Sequence, residues 1–176
     1  MTSPLTRATI VAEARSWIGT RYCHQASVKG VGCDCLGLVR GVWRACVGDE
    51  PETAPPYAPD WAEAMGEETL ANAAFRHLIP VACENFAAGD VLLFRWRDGF
   101  VAKHVAIATS HDTMIHAHDG ASVCEVAIAP WWRRRLAYAF AFPGLNEGGP
   151  HLSRRERSDR MVTCDPGEGL RSVASA

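Results

Sequence analysis

The hydrophobic pattern of this chain changes character near residue 90, and that change limits the folds available to it. Before it, apolar residues recur at helical spacing. After it, short strand-like runs follow one another, separated by turn sequences such as Asp-Gly. Helices followed by a meandering antiparallel sheet are typical of an α+β domain.

The predicted elements follow from helix-capping residues, stripes of apolar residues and helix-breaking residues. The clearest helix carries an apolar stripe formed by Cys35, Leu38, Val39, Val42, Trp43 and Cys46. Residues 49–59 hold four prolines and predict an extended linker, and residues 20–34 predict an irregular loop. Three helices are predicted, from Ser3 or Thr6 to Ile18, from Cys35 to Gly48, and from Asp60 to Leu78. Five strands are predicted to begin at Asp90, Val101, Thr113, Val123 and Leu136.

The composition divides the chain and excludes some functions. Residues 144–176 are rich in Gly, Arg, Glu and Ser and cannot bury enough apolar surface to fold alone. We therefore predict one domain over 1–143 and a tail, 144–176, that is disordered alone or docks on a partner. A net charge of −2 gives no electrostatic reason to expect a nucleic-acid partner. The start of the chain lacks the apolar run of a signal peptide, and no segment has the roughly 20 apolar residues of a transmembrane helix.

Cys35 is the candidate nucleophile. It follows Asp34 at the predicted start of a helix, where unpaired amides and the helix dipole favour a thiolate. We therefore expect a lowered thiol pKa, and first-turn amides that can hold an oxyanion. The position also suits a small apolar core residue, and position alone does not separate these interpretations.

Two histidines on adjacent predicted strands are candidates for the base and its orienting group. His104 and His116 are each six residues from Ser110, so a turn centred there would make them direct cross-strand neighbours. A turn centred one residue later would make His118 the partner instead. One predicted face carries Ala102, His104, Ala106 and Ala108, whose small side chains leave room, and we expect the Cys35 helix to pack against it.

A metal site is the rival interpretation of the cysteine cluster. Cys23, His24, Cys33 and Cys35 offer soft ligands, but their spacing lacks the paired CxxC knuckles of usual zinc sites. Seven irregularly spaced cysteines also form a poor disulfide framework, so most are expected to be reduced. We predict no metal and no organic cofactor, because a thiol and an imidazole supply both nucleophile and proton transfer.

Five segments resemble motifs of the NlpC-type cell-wall peptidases, a papain-like family, in the family's order. Asp34 to Val39 is similar to the nucleophile motif Asp-Cys-Ser-Gly-Leu-Val, with Leu36 in place of Ser. The other four segments are Arg21-Tyr22, Gly89 to Phe94, His104 to Ile107 and Met114 to Ala117. The resemblance covers about residues 8–142 and implies a papain-like α+β fold.

The resemblance also implies an activity and roles for five residues. Cys35 would attack a peptide carbonyl, His104 would act as base and then acid, and His116 would orient His104. Tyr22 would line the site near the oxyanion, and Asp34 would help to bind a free substrate amine, although Leu36 removes a hydroxyl nearby. The implied substrate is the peptidoglycan stem peptide, cut between D-glutamate and diaminopimelate.

Residues 24–35 and 57–61 further resemble the subgroup found in phage and gene-transfer-agent tails. This resemblance implies a protein made in the cytoplasm without a signal peptide and carried to the periplasmic cell wall by a phage-like particle. Residues 144–176 would then contact a tail-hub or tail-fibre protein. The alternative is a structural tail-hub component with a vestigial peptidase fold.

Overall fold

The computed structural model of the protein describes residues 4–57 and 67–145. Three helices, α1 (Arg7–Arg15), α2 (Cys35–Cys46) and α3 (Thr69–His77), precede most of the sheet. A fourth, α4 (Pro130–Arg133), lies between the last two strands. The strands are β1 (Ser27–Val28), β2 (Gly32–Cys33), β3 (Ile79–Val81), β4 (Val91–Arg95), β5 (Ala102–Ala108), β6 (Thr113–His116), β7 (Cys124–Ala127) and β8 (Leu136–Ala141). The predicted α+β class is confirmed.

The main sheet is antiparallel, with strand order β3-β8-β4-β5-β6-β7. Strands β4 to β7 form the predicted meander, and β8 returns to pair with the free side of β4. The added edge strand β3 contains Pro80, which the edge tolerates because one side of the strand needs no ladder hydrogen bonds. The predicted loop at 20–34 contains the small β1–β2 hairpin.

Both faces of the sheet are buried. On one face, β4 and β5 residues such as Leu93 and Ile107 share a core with Ile10 of α1, Leu38 of α2 and Leu70 of α3. On the other face, a second core contains Cys83, Phe86, Leu92, Phe94, Ala106, Ala108, Met114 and Ile128, with Trp132 packed against it. This two-sided burial explains why β4 reads as a continuous apolar run rather than an alternation.

The predicted helix starts agree with the observed caps. Thr6 caps α1 with a reciprocal capping box, and Asp34 caps α2 through its side chain. The observed α1 ends at Arg15, before the predicted end at Ile18, which is 46% exposed. The observed α3 begins at Thr69, and the earlier part of the predicted third helix, residues 60–66, lies outside the described residues.

The structure also shows where the Trp131-Trp132 pair lies and which cysteines are free. The Trp131-Trp132 pair lies in α4, which the sequence did not predict. Five cysteines carry free thiols, namely Cys23, Cys33, Cys35, Cys46 and Cys124, whereas Cys83 is disulfide-bonded.

Nearly all of the tail, residues 146–176, lies outside the described residues, so its separation from the domain stays a prediction. Within the described ranges no helix is long and apolar enough to cross a membrane.

The packing of α1 on α2 predicts the effect of adding one methyl group. A Cβ at Gly41 would lie 1.9 Å from the ring of Trp17, which is only 3% exposed. We expect Gly41→Ala to lower the free energy of unfolding by about 1–3 kcal/mol, measured by urea denaturation.

The control is the same change in a Trp17→Leu background. There the smaller side chain leaves room, and Ala should be neutral or stabilising because it forms helix better than Gly. Equal destabilisation in both backgrounds would show that the ring contact is not the cause.

Candidate active site

Cys35 is the first residue of α2, and its surroundings bring several backbone amides to the sulfur. The amides of Cys35 and Leu36 belong to the first helical turn, where no carbonyl of the helix can accept from them. These two amides and that of Val105 on β5 lie near the sulfur and favour its ionised form. Since Val105 directly follows His104, the thiol lies at the strand that carries the predicted base.

Helix α2 packs on the face of β5 that carries Val105 and Ile107, not on the predicted face that carries Ala106 and Ala108. Leu38 and Val39 share their core with Val105 and Ile107, whereas Ala106 and Ala108 pack in the second core. The expectation that the small-residue face receives the Cys35 helix is therefore wrong for Ala106 and Ala108, whereas Ala102 shares the core of Leu38 and Val39. The helix contacts the face of Val105, and the sulfur meets the strand at its backbone.

Burial, rather than the helix start, dominates the titration of Cys35. Burial, followed by the negative charge of Asp34, raises the pKa of the Cys35 thiol to about 11, although the three amides act in the opposite direction. The predicted lowering of this pKa is therefore wrong in direction. Cys33 is fully buried, and burial raises the pKa of its thiol to about 12.

His104 and His116 form a buried imidazole pair. Nε2 of His104 lies 3.0 Å from Nδ1 of His116, and the two residues are 4% and 5% exposed. Burial, with the neighbouring histidines, holds the pKa of His104 well below its usual value and lowers that of His116 to about 4. Both rings are therefore neutral at pH 7, and one shared proton links them.

The observed register explains which histidine contacts His104. Ile107 pairs with Ile115 and Ala108 with Met114, so the turn is centred on residue 111 rather than Ser110. The prediction that 104 and 116 are directly opposite is wrong; their hydrogen bond is a diagonal contact. His118 is exposed, and its Nδ1 lies 3.0 Å from the carbonyl of Asp119. Of the two predicted partners, His116 is the one hydrogen-bonded to His104.

Indole rings enclose the imidazole pair, and this feature was not predicted. Trp132 stacks on His104 with ring centroids 5.3 Å apart, and its edge-on contact with His116 is 5.4 Å. Trp96 lies 5.6 Å from His104. These rings exclude water from the imidazoles, which is why burial is the largest cause of their lowered pKa values. The adjacent tryptophans at 131 and 132 are visible in the sequence, but only the fold brings Trp132 to His104.

Asp34 is buried and its carboxylate is fully engaged. One oxygen accepts the amide of Gly37 at 2.7 Å, which caps α2. The other accepts the amide of Gln25 at 2.7 Å and the hydroxyl of Tyr57 at 2.5 Å. These contacts give Asp34 a structural role, and its predicted contact with a substrate amine stays a prediction. Tyr57 is a second residue whose contribution to the site was not predicted.

Tyr22 and Cys35 pack against the same hydrophobic core. The backbone of Tyr22 pairs with that of Cys33. Burial, followed by the charges of Cys35 and Asp34, raises the pKa of its hydroxyl to about 12. The hydroxyl therefore stays protonated at neutral pH and can donate a hydrogen bond. Its role at the oxyanion stays a prediction.

An apolar cavity of about 190 Å³ adjoins the site between α2, α3 and residues 50–57. Leu36, Tyr57 and Val105 line it, and each also borders Cys35 or Asp34. Leu36 therefore presents a hydrocarbon wall at the position where the resembling motif carries a hydroxyl. Among the described residues, no group of three or more His, Cys, Asp or Glu side chains is arranged to hold a metal ion.

Comparisons with solved structures agree with the fold. The chain is similar to the NlpC/p60 domain of the peptidoglycan hydrolase SagA, at 25% identity and a TM-score of 0.54, over 78% of this chain and 99% of that domain. An NlpC/P60 family protein from Bacillus cereus is 20% identical, with a TM-score of 0.59 over 80% of this chain and 41% of the other. An NLP/P60 family protein from Staphylococcus aureus is 21% identical, with a TM-score of 0.52 over 84% and 45%.

These similarities establish the fold of the chain as the papain-like NlpC/p60 fold. The chain spans less than half of the length of the Bacillus and Staphylococcus proteins and nearly all of the SagA domain. No protein-family profile and no curated protein sequence matches the chain.

The buried thiol predicts an unusual pH dependence of alkylation. Because burial raises the pKa of Cys35 to about 11, its thiolate fraction should increase about tenfold per pH unit from pH 7 to 10. We expect the rate of Cys35 modification by iodoacetamide, followed by peptide mass spectrometry, to rise in proportion. An unfolded peptide spanning residues 30–40 with Cys33 replaced by Ala should instead level off near the ordinary thiol pKa. A plateau below pH 8 in the folded protein would indicate a thiolate–imidazolium pair and contradict this prediction.

The buried histidines predict a loss of stability in mild acid. Their pKa values are lowered on folding, so the unfolded chain binds more protons between about pH 4 and 6.5, and stability falls as pH falls through this window. His116→Gln should reduce the drop in unfolding free energy between pH 7 and 5 by about 1–2 kcal/mol. The matched control is His111→Gln, because the His111 side chain is 59% exposed. An equal effect of the two substitutions in urea denaturation would argue against a buried neutral pair.

Proposed function

We propose that this protein is a cysteine endopeptidase that hydrolyses the stem peptide of peptidoglycan. The observation that carries the proposal is the junction of α2 and β5. There the Cys35 sulfur lies near the amide of Val105, the residue after His104, whose imidazole is hydrogen-bonded to a second imidazole. The NlpC/p60 fold, which this chain shares with a peptidoglycan hydrolase domain, supports a cell-wall substrate.

The proposed mechanism starts from a neutral thiol and a neutral imidazole. In one tautomer of the pair, Nε2–H of His104 donates to Nδ1 of His116, which leaves Nδ1 of His104 free to accept a proton. As the Cys35 sulfur attacks the peptide carbonyl, His104 takes the thiol proton and becomes an imidazolium. His116 stabilises that charge through the 3.0 Å contact.

The remaining steps return both groups to their starting state. The carbonyl oxygen becomes an oxyanion, and the first-turn amides of α2 and the Tyr22 hydroxyl are the proposed donors to it. His104 then gives its proton to the departing amine as the C–N bond breaks and a thioester forms. A water molecule, deprotonated by His104, attacks the thioester and releases the acid product with the free thiol.

The bond and the carrier are the finer parts of the proposal. The family resemblance supports cleavage between D-glutamate and diaminopimelate. The apolar wall of Leu36 means that this position offers no hydrogen bond to a substrate amine. The resemblance of residues 24–35 to tail-module peptidases supports delivery to the periplasmic cell wall by a phage-like particle. Residues 144–176 are the proposed contact with a tail-hub or tail-fibre protein.

Substitution of two nearby cysteines tests the proposal. We expect Cys35→Ala to reduce the release of muropeptides from purified peptidoglycan by at least about 10³-fold, because the nucleophile is lost. Cys33→Ala is the matched control, since Cys33 is a buried core residue and should keep most of the activity. Mass spectrometry of the products identifies the bond.

Two outcomes would contradict the proposal. If Cys33→Ala abolished activity and Cys35→Ala did not, the nucleophile would be misassigned. If the wild-type protein released no muropeptide, the structural tail-hub alternative would be favoured.

A further inference from the structure

A cluster of three indole rings extends from the imidazole pair to the protein surface. We use the name indole cluster for Trp96, Trp131 and Trp132. Trp132 is the inner ring, stacked on His104, and Trp131 lies 4.7 Å from Trp132 and 5.8 Å from Trp96. Trp131 is 39% exposed, so the cluster ends in an indole that contacts solvent.

Arg135 fixes the outer ring. Its guanidinium lies 4.0 Å from the ring centroid of Trp131. Nε donates to the carbonyl of Trp96 and Nη1 donates to the carbonyl of Trp131, at 3.1 and 3.2 Å. In the part of the chain that the structure describes, Nη2 of Arg135 has no such partner. The exposed end of the cluster therefore combines a rigid aromatic surface with a charged hydrogen-bond donor.

We infer that the indole cluster is a saccharide-binding surface that holds the glycan strand beside the stem peptide. This inference rests on the proposed function. The face of an indole carries a negative quadrupole that attracts the polarised C–H groups of a sugar ring. The hydroxyl and acetamido oxygens of an amino sugar are acceptors for a guanidinium donor. The Arg135 guanidinium covers one face of the Trp131 ring, so the exposed remainder of the indole and the Nη2 donor are the two groups offered to such a ligand.

The surface suits a sugar better than a large apolar partner. A stable protein interface buries about 800 Å² on each partner. Here a single ring is exposed, and the exposed residues Arg133 and Arg134 follow Trp132 directly in the chain. This surface is too small and too charged for a hydrophobic docking face, whereas one or two sugar rings need only one stacking partner.

The cluster leads directly to the imidazole pair of the proposed mechanism. Ring contacts of 4.7 and 5.3 Å lead from Trp131 through Trp132 to His104. A sugar on Trp131 would therefore lie two ring contacts from His104.

The first test measures sugar binding without catalysis. Chitotetraose, an oligomer of N-acetylglucosamine, is titrated into the Cys35→Ala protein while tryptophan fluorescence and calorimetry are recorded. We expect saturable binding that Trp131→Ala weakens at least tenfold and Trp131→Phe weakens less. Val31→Ala, at a residue that is 72% exposed on the β1–β2 turn, should leave binding unchanged. Absence of binding, or equal binding by the Trp131→Ala protein, would overturn the inference.

The second test compares two substrates in the active protein. One is the disaccharide-linked stem peptide and the other is the same peptide without sugar. Trp131→Ala should lower kcat/KM at least tenfold on the first and leave the second within twofold. Equal losses on both substrates would overturn the inference, because they would mean that Trp131 acts only by positioning His104 through Trp132.

The two tests distinguish a failure of the inference from a failure of the proposed function. If the wild-type protein cuts neither substrate, the proposed function fails, and the chitotetraose titration still decides whether the cluster binds sugar. If the protein cuts the sugar-free peptide and chitotetraose does not bind, the proposed function stands and the inference is overturned.

Discussion

The buried carboxylate of Asp34 is the interaction on which the candidate site depends. It caps α2 through Gly37, fixes the preceding loop through the Gln25 amide, and holds the linker through the Tyr57 hydroxyl. A buried carboxylate is costly unless its oxygens are paired, and here three donors satisfy it. Because Cys35 follows Asp34 directly, the same contacts determine where the thiol lies. The first turn of α2 is thus positioned by two other segments of the chain, the loop of Gln25 and the linker of Tyr57.

Burial determines the protonation state of the site. At a helix start a thiol is usually acidified, yet removal from water and the charge of Asp34 outweigh the three amides at Cys35. The same exclusion of water keeps His104 and His116 neutral. In the proposed mechanism no ion pair forms before the substrate arrives, and the proton moves during the attack. The charge that would then develop on His104 would be stabilised by His116 and the surrounding rings.

Two layers of residues therefore surround the reacting atoms for different reasons. The polar layer, built on Asp34, places the sulfur and its amides. The aromatic layer, with Trp132 in contact with both imidazoles, fixes the rings and excludes water. Arg7 binds the buried carboxylate of Asp90 at 2.6 Å, and this contact joins α1 to the strand that pairs with β5. Helix α1 thus helps to hold in place the strand that pairs with that of His104.

The sequence by itself determined the elements that depend on local pattern. The stripe of α2, the cap at Thr6, the strand runs after residue 90 and the α+β class were readable because spacing and caps act over a few residues. Cys35, His104 and His116 were identified as candidates from residue type and position.

The tertiary structure decided which groups meet and what their surroundings do to them. A one-residue difference in the centre of the β5–β6 turn changed the direct pairing of His104 to a diagonal contact with His116. The pKa of Cys35 moved opposite to the local expectation, because desolvation depends on neighbours distant in sequence. The same reason explains why the sequence did not predict the contributions of Trp132, Tyr57 and the carboxylate contacts of Asp34. Long-range packing, rather than local pattern, brings them to the site.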